Sequence, residues 1–153
     1  MYEIKDVKEF INFVIPLFGE ESGIVEGADA AVDFFMYGGC YDLAKSIKHY
    51  FPEAEYAVRN DNEHVAILYN DKLYDAMDYY EDWQLEKYNI PDEIVKKDIK
   101  DFKIYTEEEI DNFPVEFGRI KRIKGVGVTD TIINLVDEID SVKVNPKKTS
   151  IKY

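Results

Sequence analysis

An α+β fold, with N-terminal helices packed on a small antiparallel sheet, is what the sequence predicts, and three observations carry that prediction. Apolar residues recur at helical spacing from Asp6 to Phe18 and again from Tyr41 to Phe51. Three short strand-like runs follow, Glu55–Arg59, His64–Tyr69 and Lys72–Ala76, punctuated by turn residues. Helices first and strands after is the order of segregated α+β layers.

Each element has a local reason. In the first helix Val7, Phe10, Ile11, Val14, Ile15 and Phe18 line one face. Pro16 inside that pattern should kink or end it. Glu20 to Gly27, with its glycines and acids, is a loop. Ala28 to Met36 is apolar and small, a short helix or turn that delivers the chain to Gly38. Leu43, Ala44, Ile47 and Phe51 form the stripe of the second long helix, which Pro52 stops. Asn70-Asp71 joins the last two strand runs as a hairpin. Asp82 to Tyr88 and Asp92 to Asp101 read as helices. Thr106 and Glu109 form a capping box, each side chain satisfying a free amide at the other's end. Phe117 to Lys124 interleaves apolar and basic residues as a strand, and Asp130 to Ile139 closes the chain as a helix.

At 153 residues, 46% of them apolar, the chain suffices for one domain with a real core, set at residues 1–140. Residues 141–153 carry Lys143, Lys147, Lys148 and Lys152 without an acid and are expected to be a mobile basic tail. With +4 in that tail and −13 in the whole chain, the body carries −17. Such a surface repels nucleic acid, and it suits solubility or a basic protein partner. No apolar run approaches the roughly 20 residues a membrane span needs, and the N-terminus lacks the basic start and apolar stretch of a signal peptide. One cysteine forms no internal disulfide, so a reduced cytoplasmic compartment is the expectation. Oligomeric state is not readable.

The chemistry centres on Gly38-Gly39-Cys40. Cys40 opens a helix, where free amides and partial positive charge favour a thiolate. The two glycines are expected to leave space above the sulfur, and the Cys40 N–H to serve an oxyanion. His64 heads the next strand run, and the hairpin geometry tests its partner. If Asn70-Asp71 is a two-residue loop, Tyr69 pairs with Lys72 and Leu68 with Leu73. His64, Ala66, Leu68, Leu73 and Asp75 then share one face, with His64 and Asp75 as diagonal neighbours. A three-residue loop would flip the register and put Asp78 opposite His64. Asp75 is therefore the first choice and Asp78 the reserve. The bland alternative is that Cys40, in phase with Ala44, Ile47 and Phe51, is a small core residue. A sulfur sealed in packing, or a ring on the other side of the sheet, would exclude catalysis.

These residues resemble the papain-like and transglutaminase-like superfamily of thiol enzymes, including the NlpC/P60 cell-wall peptidases. The resemblance rests on Gly38-Gly39-Cys40 with Leu43-Ala44, His64-Val65-Ala66-Ile67, and Tyr74-Asp75-Ala76, and it spans residues 34 to 80. The combination is also similar to small phage and bacterial proteins with a Gly-Gly-Cys helix and a His-Val strand. It implies a papain-like core in which Cys40 attacks an amide or acyl carbon, His64 is the base and Asp75 holds the imidazole. Papain-like proteases also use a glutamine shortly before the cysteine. The only glutamine here is Gln84, downstream, which leaves Asn12 and Tyr37 as the upstream polar groups.

The expected function is thus a thiol hydrolase or acyltransferase acting on an amide, isopeptide or thioester bond through Cys40, His64 and Asp75. Its substrate would be a peptide, a protein or a small acyl compound. The alternative is a non-catalytic acidic module, of a kind phages encode, that sequesters a basic protein. No cofactor or metal is implied. Gly125-Val126-Gly127 lacks the remainder of a phosphate loop, and Asp71, Asp75, Asp78, Glu81 and Asp82 lack the spacing of a calcium loop.

Overall fold

The structure is a computed structural model, and it describes residues 2–113 and 126–146. The strand expected at 117–124 and tail residues 147–153 lie outside the described residues. Within them the protein is mixed α and β, with seven α-helices and two sheets.

Helix α1 (Val7–Glu21) starts where the Asp6 carboxylate accepts the Glu9 N–H at 2.8 Å. It buries the expected face, Val7 through Phe18. Pro16 does not end it; the helix runs five residues further. The bond proline cannot make would have gone to the carbonyl of Asn12, an exposed residue, so water can replace it. Helix α2 (Ala28–Met36) and helix α3 (Cys40–Tyr50) follow. Phe18 packs on Phe35 of α2, ring centroids 4.7 Å apart, and Phe10 on Phe51 at 6.1 Å.

The main sheet comprises β2 (Glu55–Arg59), β3 (Val65–Tyr69), β4 (Lys72–Tyr74) and β5 (Phe102–Tyr105), in the order β4-β3-β2-β5, antiparallel throughout. Helix α3 packs across β3. The β3–β4 register is that of a two-residue loop: Tyr69 opposes Lys72 and Leu68 opposes Leu73. Asn70 and Asp71 both take positive φ, 50° and 64°, which such a tight turn requires. The ladder ends at Tyr74, and the chain then coils into a 3-10 turn, Ala76–Tyr79.

Helix α4 (Asp82–Lys87) is as expected, but the helix expected over Asp92–Asp101 is not one element. It breaks into α5 (Asp92–Val95) and a 3-10 turn, Ile99–Asp101. Asp98 is the reason: its carboxylate accepts the Lys100 N–H at 3.1 Å and restarts the chain there. Helix α6 (Glu107–Asp111) begins with the expected box of Thr106 and Glu109.

Helix α7 (Thr129–Asp137) packs on α3 and α1. Its N-terminus is capped from a distance. Buried Asp42, in the first turn of α3, accepts from the N–H of Val126 (2.6 Å), the N–H of Val128 (3.0 Å) and the hydroxyl of Thr129 (2.9 Å). Asp42→Ala strands the buried Val128 N–H, leaves that of exposed Val126 to water, and should cost about 2 kcal/mol. Urea unfolding would measure that loss; a change under about 0.5 kcal/mol would show that the cap is dispensable. Past residue 140, where the sequence predicts a tail, Val142–Val144 forms β6 and pairs in parallel with β1 (Tyr2–Ile4). Three residues are too few for alternation to mark a strand.

Candidate active site

Cys40 is the first residue of α3, and the Gly39 N–H is tied back to the Phe34 carbonyl at 2.8 Å. Gly39 is glycine because of packing: a Cβ there would lie 2.6 Å from the Phe34 ring and 3.0 Å from that of Phe35. The space expected above the sulfur is therefore not at Gly39; at Gly38 a Cβ would make only an ordinary contact, 3.9 Å from the Phe34 carbonyl oxygen.

His64 immediately precedes β3, its carbonyl accepting the Arg59 N–H at 2.9 Å across a loop. In that loop Asp61 binds the Arg59 guanidinium and the Glu63 N–H. The Nε2 of His64 is 2.9 Å from Asp75 Oδ2, both side chains being buried. Cys40 is a second hydrogen-bond partner of the His64 side chain, which puts the ring on the α3 side of the sheet.

Asp75 follows β4 and caps the 3-10 turn. Its Oδ1 accepts the Met77 N–H at 2.9 Å, while Asp78 Oδ2 accepts the Asp75 N–H at 2.9 Å. Asp78, the reserve candidate, thus holds the backbone of Asp75, not the imidazole. A further participant, Lys97, is one that sequence reasoning misses. Its side chain, only 8% exposed, places Nζ 3.3 Å from Asp75 Oδ1 and 3.1 Å from Asp78 Oδ2. Lys8 donates to the Asp78 carbonyl from α1. Among the described residues no cluster of three His, Cys, Asp or Glu side chains is arranged to hold a metal ion.

The electrostatics follow from this chain of contacts. Burial alone would strip the proton from His64, but the bonds to Asp75 and Cys40 outweigh it and raise its pKa from 6.5 to about 9. For Asp75 burial acts to raise the pKa, yet the His64 hydrogen bond, the Lys97 charge and the Met77 amide hold it below the ordinary carboxylate value. Burial works to lower the pKa of Lys97, and Asp75 and Asp78 together push it up instead. His64 binds its proton more tightly folded than unfolded. The stabilisation this gives is fully present below about pH 6.5 and fades as pH rises through about 9. Asp75 acts oppositely: its contribution holds above pH 3.8 and is lost as pH falls through its depressed pKa.

Access is narrow. Cys40 and His64 are each only 3% exposed. A void beside Cys40, bordered by Leu43, Ile47, Ala66 and Tyr74, is too tight to admit water. His64, however, forms part of the wall of a surface cleft of about 210 Å³ with Met36, Tyr37, Arg59, Glu63 and Ile94. Tyr37, one of the two upstream polar candidates, stands 62% exposed at that cleft. Asn12 is exposed on α1.

A buried Cys–His–Asp chain, braced by a lysine and set between a helix start and an antiparallel sheet, defines this α+β protein. It belongs to the phage YunG-like protein family, whose model matches residues 23–118. That match takes in α2, α3, the four-stranded sheet and all of Cys40, His64, Asp75 and Lys97. No curated protein and no solved structure matches the chain significantly. No described helix is long and apolar enough to cross a membrane.

Proposed function

We propose that the chain is a thiol hydrolase or acyltransferase with a papain-like core. Cys40 is the nucleophile, His64 the proton carrier and Asp75 the residue that orients it. The observation that carries this reading is the His64 ring, bonded through Nε2 to Asp75 and also interacting with Cys40. A merely structural histidine needs one partner; this one has both a carboxylate and a thiol, the thiol at a helix start.

With a pKa of about 9, His64 is protonated at neutral pH. His64 holds the proton taken from Cys40, and the resulting Cys40 thiolate attacks the carbonyl carbon of an amide, isopeptide or thioester. The C=O electron pair moves to oxygen, and the Cys40 N–H at the start of α3 is the donor available to the oxyanion. As the tetrahedral species collapses, His64 gives its proton to the leaving nitrogen or sulfur. Neutral His64 then takes a proton from water or an acceptor amine, which attacks the thioester and frees Cys40. The surface cleft beside the pair is walled by His64 and not by Cys40, so attack by the sulfur requires a movement that opens a path between that cleft and Cys40.

The test is intact-mass analysis after incubation with a panel of peptide thioesters. An acyl adduct on Cys40 that turns over is the expected result, with a rate that falls as pH rises through about 9, where His64 loses its proton. Absence of any adduct across the panel, or a rate that keeps climbing above pH 9, contradicts the assignment.

A sulfur sealed in packing counts against catalysis, and the near-complete burial of Cys40 beside a void too tight for water favours a second reading, a non-catalytic acidic module that binds a basic protein. In that case the −17 body makes binding weaken steeply with salt. Cys40 would then be inert toward acyl donors.

A further inference from the structure

Tyr37 and Ile94, which wall the cleft at His64, also wall a second cleft of about 370 Å³, so the two lie side by side with those side chains between them. The second cleft has a particular chemistry. Asp29, Asp33 and Tyr37 follow one another at four-residue spacing along α2 and its C-terminal cap, and so stand on one face. Tyr80 and Tyr88 also wall the cleft, their rings meeting edge to face at 5.4 Å. Tyr80 donates its hydroxyl to Asp29 Oδ1 at 2.9 Å, which fixes the ring against α2. Among the described residues neither Asp29 nor Asp33 meets a lysine or arginine. The cleft is thus a tyrosine-walled trough with two carboxylates that no lysine or arginine among the described residues compensates. Aromatic rings and negative charge together suit an ammonium group.

We propose that this trough is a specificity subsite for a lysine-type cationic side chain of a peptide substrate, held while the neighbouring carbonyl lies at His64. The inference rests on the thiol-enzyme reading for the carbonyl, but the trough can be examined without turnover. The −17 body attracts cations everywhere, so a real subsite must discriminate by position as well as by charge.

The experiment uses the full chain with Cys40→Ala, so that nothing is consumed. Its probes are N-acetylated pentapeptide amides differing at one position, with lysine, norleucine or glutamate placed at each site in turn, and binding is followed by NMR titration. At one position the lysine peptide should bind at least about threefold more tightly than norleucine, with shifts at Tyr80 and Tyr88. In the Asp29→Asn, Asp33→Asn double variant that preference should vanish while norleucine binding is kept. Both aspartates are exposed, and the amide oxygen of an asparagine in place of Asp29 still accepts the Tyr80 hydroxyl, so the fold is retained. Equal binding of lysine and norleucine peptides overturns the proposal, as does no binding or a preference that survives in the double variant. If the preference holds but the unaltered protein never turns over a lysine peptide or thioester, the thiol chemistry fails and the subsite stands. Turnover without preference gives the converse.

Discussion

Cys40→Ala should abolish turnover, by at least about 10⁴-fold, because a nucleophile cannot be replaced by its surroundings. The fold should survive. The removed sulfur is small, and the position lies in phase with Ala44 on the buried face of α3, so unfolding free energy should change by no more than about 1–2 kcal/mol. The pairing of those results is what matters. Lost activity in a protein that unfolds with an unchanged urea slope assigns Cys40 to the chemistry. Retained activity in the alanine variant would end the account.

Asp75 should show the largest effect on stability. Its carboxylate receives His64 Nε2 at 2.9 Å, the Met77 N–H at 2.9 Å and the Lys97 ammonium at 3.3 Å, all out of water. Asp75→Ala takes the carboxylate from a buried imidazole, leaves the Met77 N–H without its acceptor, and leaves the Lys97 ammonium only Asp78 and the Val95 carbonyl. Breaking a buried ion pair from one side costs about 3–5 kcal/mol, and this one has two cationic partners. Asp75→Asn separates orientation from folding. It keeps an acceptor for Met77 but loses the charge that favours protonated His64. Turnover should fall about 10²- to 10⁴-fold, and His64 should titrate well below 9. If the asparagine variant matches the parent in rate and in His64 titration, Asp75 is a structural cap only.

Much of this arrangement is legible in the chain. Asn70-Asp71 sets a two-residue turn, that turn sets the β3–β4 register, and the register brings Asp75 and not Asp78 to His64. Helix starts are readable wherever a side chain bonds three residues ahead, as at Asp6 and Thr106. What escapes the sequence depends on distant partners. Nothing local marks Lys97 as the lysine that folds inward, since its neighbour Lys96 is equally charged and stays in solvent. Asp42 reads as an ordinary first-turn acid; its role as cap for α7 joins residues more than eighty positions apart. Gly39 suggests room for substrate, whereas its missing side chain makes room for Phe34 and Phe35. The depth of Cys40 is equally hidden, because periodicity assigns a face to a residue but not the thickness of what lies over it.

That depth points to the most direct measurement. The second-order rate of Cys40 alkylation by iodoacetamide at pH 7 should be compared in the folded protein and in the same protein unfolded in urea. A thiol activated by the α3 start and by protonated His64 reacts at least about tenfold faster folded than unfolded, despite its burial. A cysteine that serves only as packing reacts more slowly when folded, and that result would contradict the claim that Cys40 and His64 form a working couple.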